Sequence, residues 1–282
     1  MATKFDIITG NDEIFKNKEY VEDSIIFNSI ESARKENGYE LYSDHKSVII
    51  LITKNDHRVW LWTSASIKDD TNKLIDICRF LRDCNIPKAE IYLKQDVADS
   101  FSDLYALTTL EINYSITDEF SIAVFTHTGE KIAEIPAAAP DQDEKIIQID
   151  KNDPEQVRMV QEFYESLKEE FHWQNKLERK VRQYLDCEMY ALVKGQRIVA
   201  NAVIGSRTEE FLRIKSIAVL AGERRKGYGY KICVHTLNKI KEKGLTPILY
   251  THIGNAAAMA LWAKTAFKEK NKLYLLKIEN ND

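Results

Sequence analysis

The chain has 282 residues, 44% of them apolar and 30% charged, with 40 Lys+Arg against 44 Asp+Glu and a mean hydropathy of −0.39. That length is ample for two domains with ordinary cores. No uninterrupted apolar run approaches the ~18 residues of a membrane span, and a slightly acidic chain without an Arg/Lys stripe does not suit nucleic acid.

The opening segment MATKFDIITGNDE lacks a basic region followed by an apolar stretch, so a cytoplasmic protein without a secretory signal is expected. From Glu19 to Lys35, apolar residues at Val21, Ile25, Ile26, Ile30 and Ala33 predict one helix, ended by Asn37-Gly38. The runs 47–53 and 59–64, separated by Asn55-Asp56, predict a hairpin, with Trp60 and Trp62 on one face as core or domain-interface residues. Thr71–Asp83 is helical by its Leu74, Ile77, Cys78 and Leu81 spacing, and 89–93 and 120–125 are short strands. The segment PAAAPDQDEK holds two of the five prolines and no apolar period, as an exposed linker would. Domains are therefore expected at 1–135 and 145–282, joined by 136–144.

Past the linker, 145–150 is a strand, and Asp153-Pro154 opens a helix with Asp153 as cap and Pro154 at its first position. Strands follow at 189–195, 197–206 and 211–220. A helix over Tyr228–Lys243 stops at Gly244, and then come a strand at 247–253, a helix at 256–267 and a final strand at 272–279. This alternation predicts an α/β layer fold with a mixed sheet. Residues 1–140 carry 15 Lys+Arg against 24 Asp+Glu, whereas 141–282 carry 25 against 20, so an anionic ligand suits the second half better. The cysteines (Cys78, Cys84, Cys187, Cys233) form no C-x-x-C pair and the six histidines no i,i+4 pair, so neither disulfides nor a metal site is expected.

The stretch that carries chemistry is Arg224-Arg225-Lys226-Gly227-Tyr228-Gly229, set between a strand and an amphipathic helix. Glycines let backbone N–H groups approach an anion, the helix directs its positive end there, and three cations add attraction. The spacing fits neither a Walker A loop nor a G-x-G-x-x-G dinucleotide turn. A flexible basic turn would carry the same residues, so the turn alone leaves the ligand open.

A second motif follows in order. IAVLAGERRKGYG (217–229) resembles the acyl-CoA-binding motif of the GNAT acyltransferase superfamily, strand then R/Q-x-x-G-x-G/A then helix. LYTHIGNAAAMALWAKTAF (249–267) resembles that superfamily's next motif, with Asn255, Ala258, Leu261 and Phe267 in the pattern positions. The first half, lacking any R-x-x-G-x-G turn, resembles the degenerate N-terminal copy of a tandem-GNAT arrangement. The resemblance implies two domains, each a mixed, mostly antiparallel central sheet flanked by helices. It implies acetyl-CoA as acyl donor and a small amine as acceptor. The backbone of Ile217, Ala218 and Val219 would pair with the pantetheine arm. Arg224, Arg225, Lys226, Gly227, Tyr228 and Gly229 would hold the pyrophosphate, with Asn255 and Trp262 also at the cofactor.

Three residues depart from the pattern. Trp262 replaces the family's thiolate-protonating Tyr, Ala266 replaces a Gly, and Arg213 stands where many members carry a Glu. An indole N–H donates a hydrogen bond but does not give up its proton at useful pH. Substitute acid or base groups are His252 beside Asn255, Glu209 or Glu210 before the central strand, and the phenols of Tyr228 and Tyr250, each with an ordinary structural role as the alternative. Lys168-Glu169-Glu170-Phe171-His172-Trp173 is either an acidic, aromatic roof for a cationic amine or charged helix-end chemistry. Three functions follow: an acetyl-CoA-dependent N-acetyltransferase, a catalytically inactive acyl-CoA-binding sensor, or a non-catalytic interaction scaffold in which only the fold survives.

Overall fold

The computed structural model describes residues 5–9, 11–24, 27–33, 40–53, 58–84, 88–94, 96–101, 114–129 and 143–280. The expected turns at Asn37-Gly38 and Asn55-Asp56, and residues 136–142 of the expected linker, lie outside them. The chain divides into two compact units: Met1–Val124 with Thr251–Gly254 and Lys270–Asp282, and Phe125–Tyr250 with Asn255–Glu269. No helix among the described residues is long and apolar enough to cross a membrane.

In chain order the elements used below are β1 (Asp6–Ile7), α1 (Lys18–Asp23), α2 (Asn28–Ala33), β2 (Glu40–Ser43), β3 (Val48–Thr53), β4 (Arg58–Thr63), α3 (Thr71–Asp83), β5 (Lys88–Lys94) and β6 (Tyr114–His127). They continue with β7 (Glu144–Gln148), α4 (Pro154–Glu165), α5 (Leu177–Leu185), β8 (Glu188–Lys194), β9 (Arg197–Arg207), β10 (Phe211–Val219), α6 (Tyr228–Glu242), β11 (Thr246–His252), α7 (Ala256–Lys264) and β12 (Phe267–Asn280).

In the first unit, β1–β4 run as an antiparallel meander and β5 joins β4 in parallel. The apolar runs of β3 and β4 bury both faces. Val48, Ile50, Val59 and Leu61 meet Leu74, Ile77 and Leu81 of α3, and the alternate residues Ile49, Leu51, Trp60 and Trp62 are also buried. Trp60 stacks on Tyr92, its partner across the β4–β5 rung, with centroids 4.1 Å apart, and the Trp62 indole donates to Asp23 at 2.9 Å. Both tryptophans are core residues. The helix expected over 19–35 is instead two short helices, α1 and α2. Tyr20 of α1, Ile30 of α2 and Phe27, just before α2, are buried, while Val21 of the expected stripe is 55% exposed. The last strand also differs from a simple two-part chain. Leu273–Glu279 of β12 pairs antiparallel with Lys94–Lys88 of β5, so the C-terminal strand completes the first unit's sheet.

In the second unit, β7, β8, β9 and β10 are consecutive antiparallel strands and β11 adds to β10 in parallel. Successive side chains on a strand face opposite ways. Met189, Ala191 and Val193 of β8 lie under Val160, Phe163, Tyr164 and Leu167 from α4 and its C-terminal turn, and Tyr190 meets His235 of α6 on the other side. Asp153 caps α4, accepting from the N–H groups of Glu155 and Gln156, with Pro154 next, as the sequence predicts. Within the core, Tyr164 and the fully buried Asn201 hydrogen-bond each other, with Asn201 Nδ2 2.8 Å from the phenol oxygen. Cys233 lies in the α6 core beside Leu237 and Ile240.

Candidate functional site

The central strand β10 keeps its two partners over different lengths. It pairs with β9 from Leu212 to Val219, but with β11 only from Phe211↔Thr246 to Ile214↔Leu249. The parting coincides with a bulge. Ile214 faces Ile204 and Ser216 faces Val203, which leaves Lys215 as an extra residue, and a bulge bends and twists its strand. Beyond it, Ser216–Val219 shares no rung with β11 among the described residues, so that edge keeps backbone donors and acceptors for something other than the sheet.

β10 leads through a short 3-10 turn, Ala221–Glu223, into the basic stretch and α6. Arg225 and Gly227 both adopt left-handed backbone, with φ of 64° and 86°. Gly227 is the N-cap of α6 and supplies no side-chain cap, unlike Asp153 at α4 and Asn255 at α7. A Cβ at Gly227 would meet nothing within 4 Å, so glycine serves there for its left-handed backbone. At Gly229 the reason is proximity, since a Cβ would lie 3.4 Å from Val219 Cγ2. Among the described residues, the N–H groups of residues 225–229 find no backbone acceptor. A 15-residue helix with an uncapped, glycine-lined N-terminus concentrates positive potential and unpaired donors at one point.

Each cation around this turn but one holds a carboxylate. Arg224 reaches both oxygens of Glu170, at 2.6 and 2.5 Å, and its Nε donates to the Val219 carbonyl at 3.2 Å. Glu223, nearly buried, accepts from Lys226 and Arg197, and the Lys226 bond holds its carboxyl below the usual range. Lys231 on α6 does the same for Glu144 at 2.7 Å. Arg225 makes no ion pair among the described residues.

The individual candidates fall out as follows. Tyr228 is buried and donates its hydroxyl to Glu144 at 2.7 Å, with Lys194 Nζ 3.4 Å away, so its phenol proton is committed to anchoring the first turn of α6 on β7. Glu209 and Glu210 lie in the exposed turn that starts β10, and roughly 20 Å of strand separates that turn from Ile217. The structure does not bring them to the basic turn. His252 ends β11, three residues before Asn255. Asn255 is the N-cap of α7, its Oδ1 accepting from Ala258 N–H at 3.1 Å, which leaves its amide group for a ligand. Trp262 is 6% exposed, packs edge-on against Phe267, and its Nε1–H has no hydrogen-bond partner among the described residues. Arg213 lays its guanidinium over the Tyr250 ring, 4.3 Å from the centroid. Ala266, at the pattern's glycine position, has φ of 55°, which explains why the pattern wants glycine there.

The acidic and aromatic segment 168–173 is not an open roof. Glu170 is held by Arg224 and Glu169 accepts from Gln174, while Phe171 and Trp173 pack on Tyr164 as part of the core. Glu144, the last residue of the expected linker, is the first of β7 and the anchor for Tyr228 and Lys231. Sequence reading missed it because its partners lie 84 and 87 positions away. It also missed the Lys215 bulge, for which no local pattern exists.

Residues 159–267 match the acetyltransferase (GNAT) family. No curated protein matches the chain. Among solved structures, the whole chain superposes on the whole of a Drosophila protein with a TM-score of 0.70 at 11% identity. A GCN5-related N-acetyltransferase from Sphaerobacter thermophilus gives 0.63 at 12%, covering 99% of this chain and 96% of that one. A tandem GNAT protein from the clavulanic acid biosynthesis pathway gives 0.60 at 8%, covering 97% of each. The matched segment contains the parted strands, the basic turn and α6, and the fold likeness extends over both units. Residues 159–267 therefore form a domain of the acetyltransferase (GNAT) family, and the fold of the whole chain is similar to these structures, a tandem GNAT protein among them.

Proposed function

We propose that the protein is an N-acetyltransferase that moves the acetyl group of acetyl-CoA to a primary amine of a small molecule, working in the cytoplasm. The observation that carries this reading is the junction at the end of β10. There a strand edge released from β11 runs straight into the uncapped, basic N-terminus of α6. The free N–H groups at 225–229, with Arg224, Arg225 and Lys226, suit a pyrophosphate. The released edge of Ile217, Ala218 and Val219 suits the amide-bearing pantetheine arm as an added strand. Asn255, through its amide, and Trp262, through its unpartnered N–H, are assigned to the rest of the cofactor. The group this site takes supplies an activated thioester. The protein's part is to hold that thioester against backbone donors and deliver an unprotonated amine. The amine nitrogen attacks the carbonyl carbon, the C–S bond breaks and the sulfur leaves as thiolate, which takes its proton from solvent. His252 is assigned to take the amine's proton, since imidazole exchanges protons near neutral pH. Tyr228 is assigned an anchoring role in α6, and Glu209 none. We infer domains at 1–135 and 145–282 joined by 136–144, with Glu144 already in β7 and β12 returning to the first unit's sheet, and assign the first domain a scaffolding and acceptor-shaping role.

A second reading, an acyl-CoA-binding sensor without turnover, is favoured by Trp262, a buried donor that yields no proton to the departing thiolate. Calorimetric titration with acetyl-CoA followed by a thiol-release screen of amines separates the readings. Binding with release supports the transferase, binding without release the sensor, and absence of binding overturns both.

A further inference from the structure

Three adjacent strands of the second unit bring an amine and a thiol together outside the machinery assigned above. Cys187 immediately precedes β8, Gly205 lies on β9, and Lys215 is the extra residue in the β10 bulge. Lys215 Nζ is 3.6 Å from Cys187 Sγ. Gly205 makes that approach feasible. A Cβ there would stand 2.9 Å from Lys215 Cδ and 3.3 Å from Cys187 Sγ, so the lysine side chain crosses β9 through the space that glycine leaves. The bulge supplies the other half of the geometry, because an unpaired extra residue re-aims its side chain along the sheet. No carboxylate among the described residues pairs with Lys215, so its amine has no competing partner.

The other cysteines are placed differently. Cys78 and Cys233 are fully buried, and burial pushes the Cys233 thiol up to about 12 and that of half-buried Cys84 up to about 11. Cys187 is partly open to solvent, its Sγ also donating to the Gln183 carbonyl at 3.3 Å. A cation beside a half-open sulfur is the setting in which cysteines react with peroxide, because the attacking species is the thiolate.

We propose that Cys187 and Lys215 form an oxidation site at which a peroxide converts the thiol to a sulfenic acid that the lysine amine captures as a sulfur–nitrogen bridge. In the first step the Cys187 sulfur takes one oxygen from hydrogen peroxide, giving Cys–SOH and water. In the second, the Lys215 amine, having released its ammonium proton to solvent, attacks that sulfur. The S–N bond forms, the S–O bond breaks, and the departing hydroxide leaves as water with a proton from nitrogen. Sulfur is oxidised by two electrons, peroxide is reduced by two, and a thiol restores the pair by attacking the bridged sulfur. The bridge ties the entry of β8 to the bulge at which β10 leaves β11. The site is independent of the transferase reading.

The test is hydrogen peroxide treatment of the full chain, read by intact mass and peptide mapping. The wild-type protein should lose two hydrogens, about 2 Da, and yield a dithiothreitol-sensitive peptide joining Cys187 to Lys215. Lys215→Arg keeps the charge but not the primary amine and should instead carry sulfenic or sulfinic acid at Cys187. Cys187→Ser should show neither product. Gly205→Ala, which displaces the lysine, should shift the wild-type protein's bridge toward the oxyacids. A wild-type protein oxidised at Cys187 only to oxyacids, as in Lys215→Arg, would overturn the proposal. So would an unreacted Cys187 beside an oxidised Cys84.

Discussion

Glu170 closes on Arg224 with two short bonds, and each side chain is close to half exposed, at 49% and 44%. A phosphate arriving at the turn must compete with that carboxylate for the same guanidinium. Glu170→Gln removes the competing charge while keeping the side chain's shape and packing. An exposed pair of this kind is worth about 0.2–1 kcal/mol, because solvent screens the attraction and ordering two long side chains costs entropy. The same amount should appear as a gain in acetyl-CoA affinity, about 1.5- to 5-fold. Titration calorimetry of wild type and Glu170→Gln at low and high salt is the assay. The gain should be largest at low ionic strength and shrink as salt screens the pair. A fall in affinity would refute the reasoning, since it would make Glu170 part of the binding surface rather than a competitor for it.

Three other outcomes follow from particular residues. Ala266→Gly relieves a left-handed backbone that costs a residue with a Cβ about 1–2 kcal/mol, offset by roughly 0.5–1 kcal/mol of added unfolded-state entropy. Thermal unfolding should shift up by about 1–3 °C. Tyr228→Phe leaves Glu144 without its phenol donor and should lower stability by about 1.5–3 kcal/mol in denaturant titration, with turnover per folded molecule unchanged. Glu144 and Glu223 are held below their ordinary range by the Lys231 and Lys226 bonds respectively. Their contribution is complete above the usual carboxylate pKa near 4.3 and fades as pH falls through the lower folded-state values. Melting temperature followed downward from about pH 5 should fall less steeply in Glu144→Gln than in wild type.

The local parts of this architecture were legible in the sequence. Asp153-Pro154 announced α4, the alternating apolar residues announced β8 and β9, and Gly227 and Gly244 marked the ends of α6. The basic turn with the downstream Asn255–Phe267 pattern points to the same acetyltransferase (GNAT) family that residues 159–267 match. Features set by partners far along the chain were not legible. The split of β10 from β11 and its bulge at Lys215 depend on register, which an alternating strand does not encode residue by residue. β12 reads as a strand, but its pairing with β5 is a choice of partner made across 179 positions at Leu273 and Lys94. The break between α1 and α2 hid inside an acceptable helical period, although Val21 of that stripe is exposed while Tyr20 and Phe27 are buried. α5, Leu177–Leu185, escaped notice because its apolar stripe is only Leu177, Val181, Tyr184 and Leu185 among charged residues. Charge pairing was equally invisible. Glu144, Glu170 and Glu223 reach the turn from three separate segments, so a turn that reads as strongly basic is largely neutralised before any ligand arrives.

The central claim is that the N-terminus of α6 and the released edge of β10 take acetyl-CoA. The most direct measurement is calorimetric titration of acetyl-CoA into wild type and Gly227→Val. Valine has space at that position but is strained at φ of 86°, so it disturbs the backbone donors without filling the site. Wild-type binding that Gly227→Val weakens at least tenfold, with the fold intact by circular dichroism, is the predicted result. Equal affinity in the two proteins, or no heat of binding in either, would contradict it.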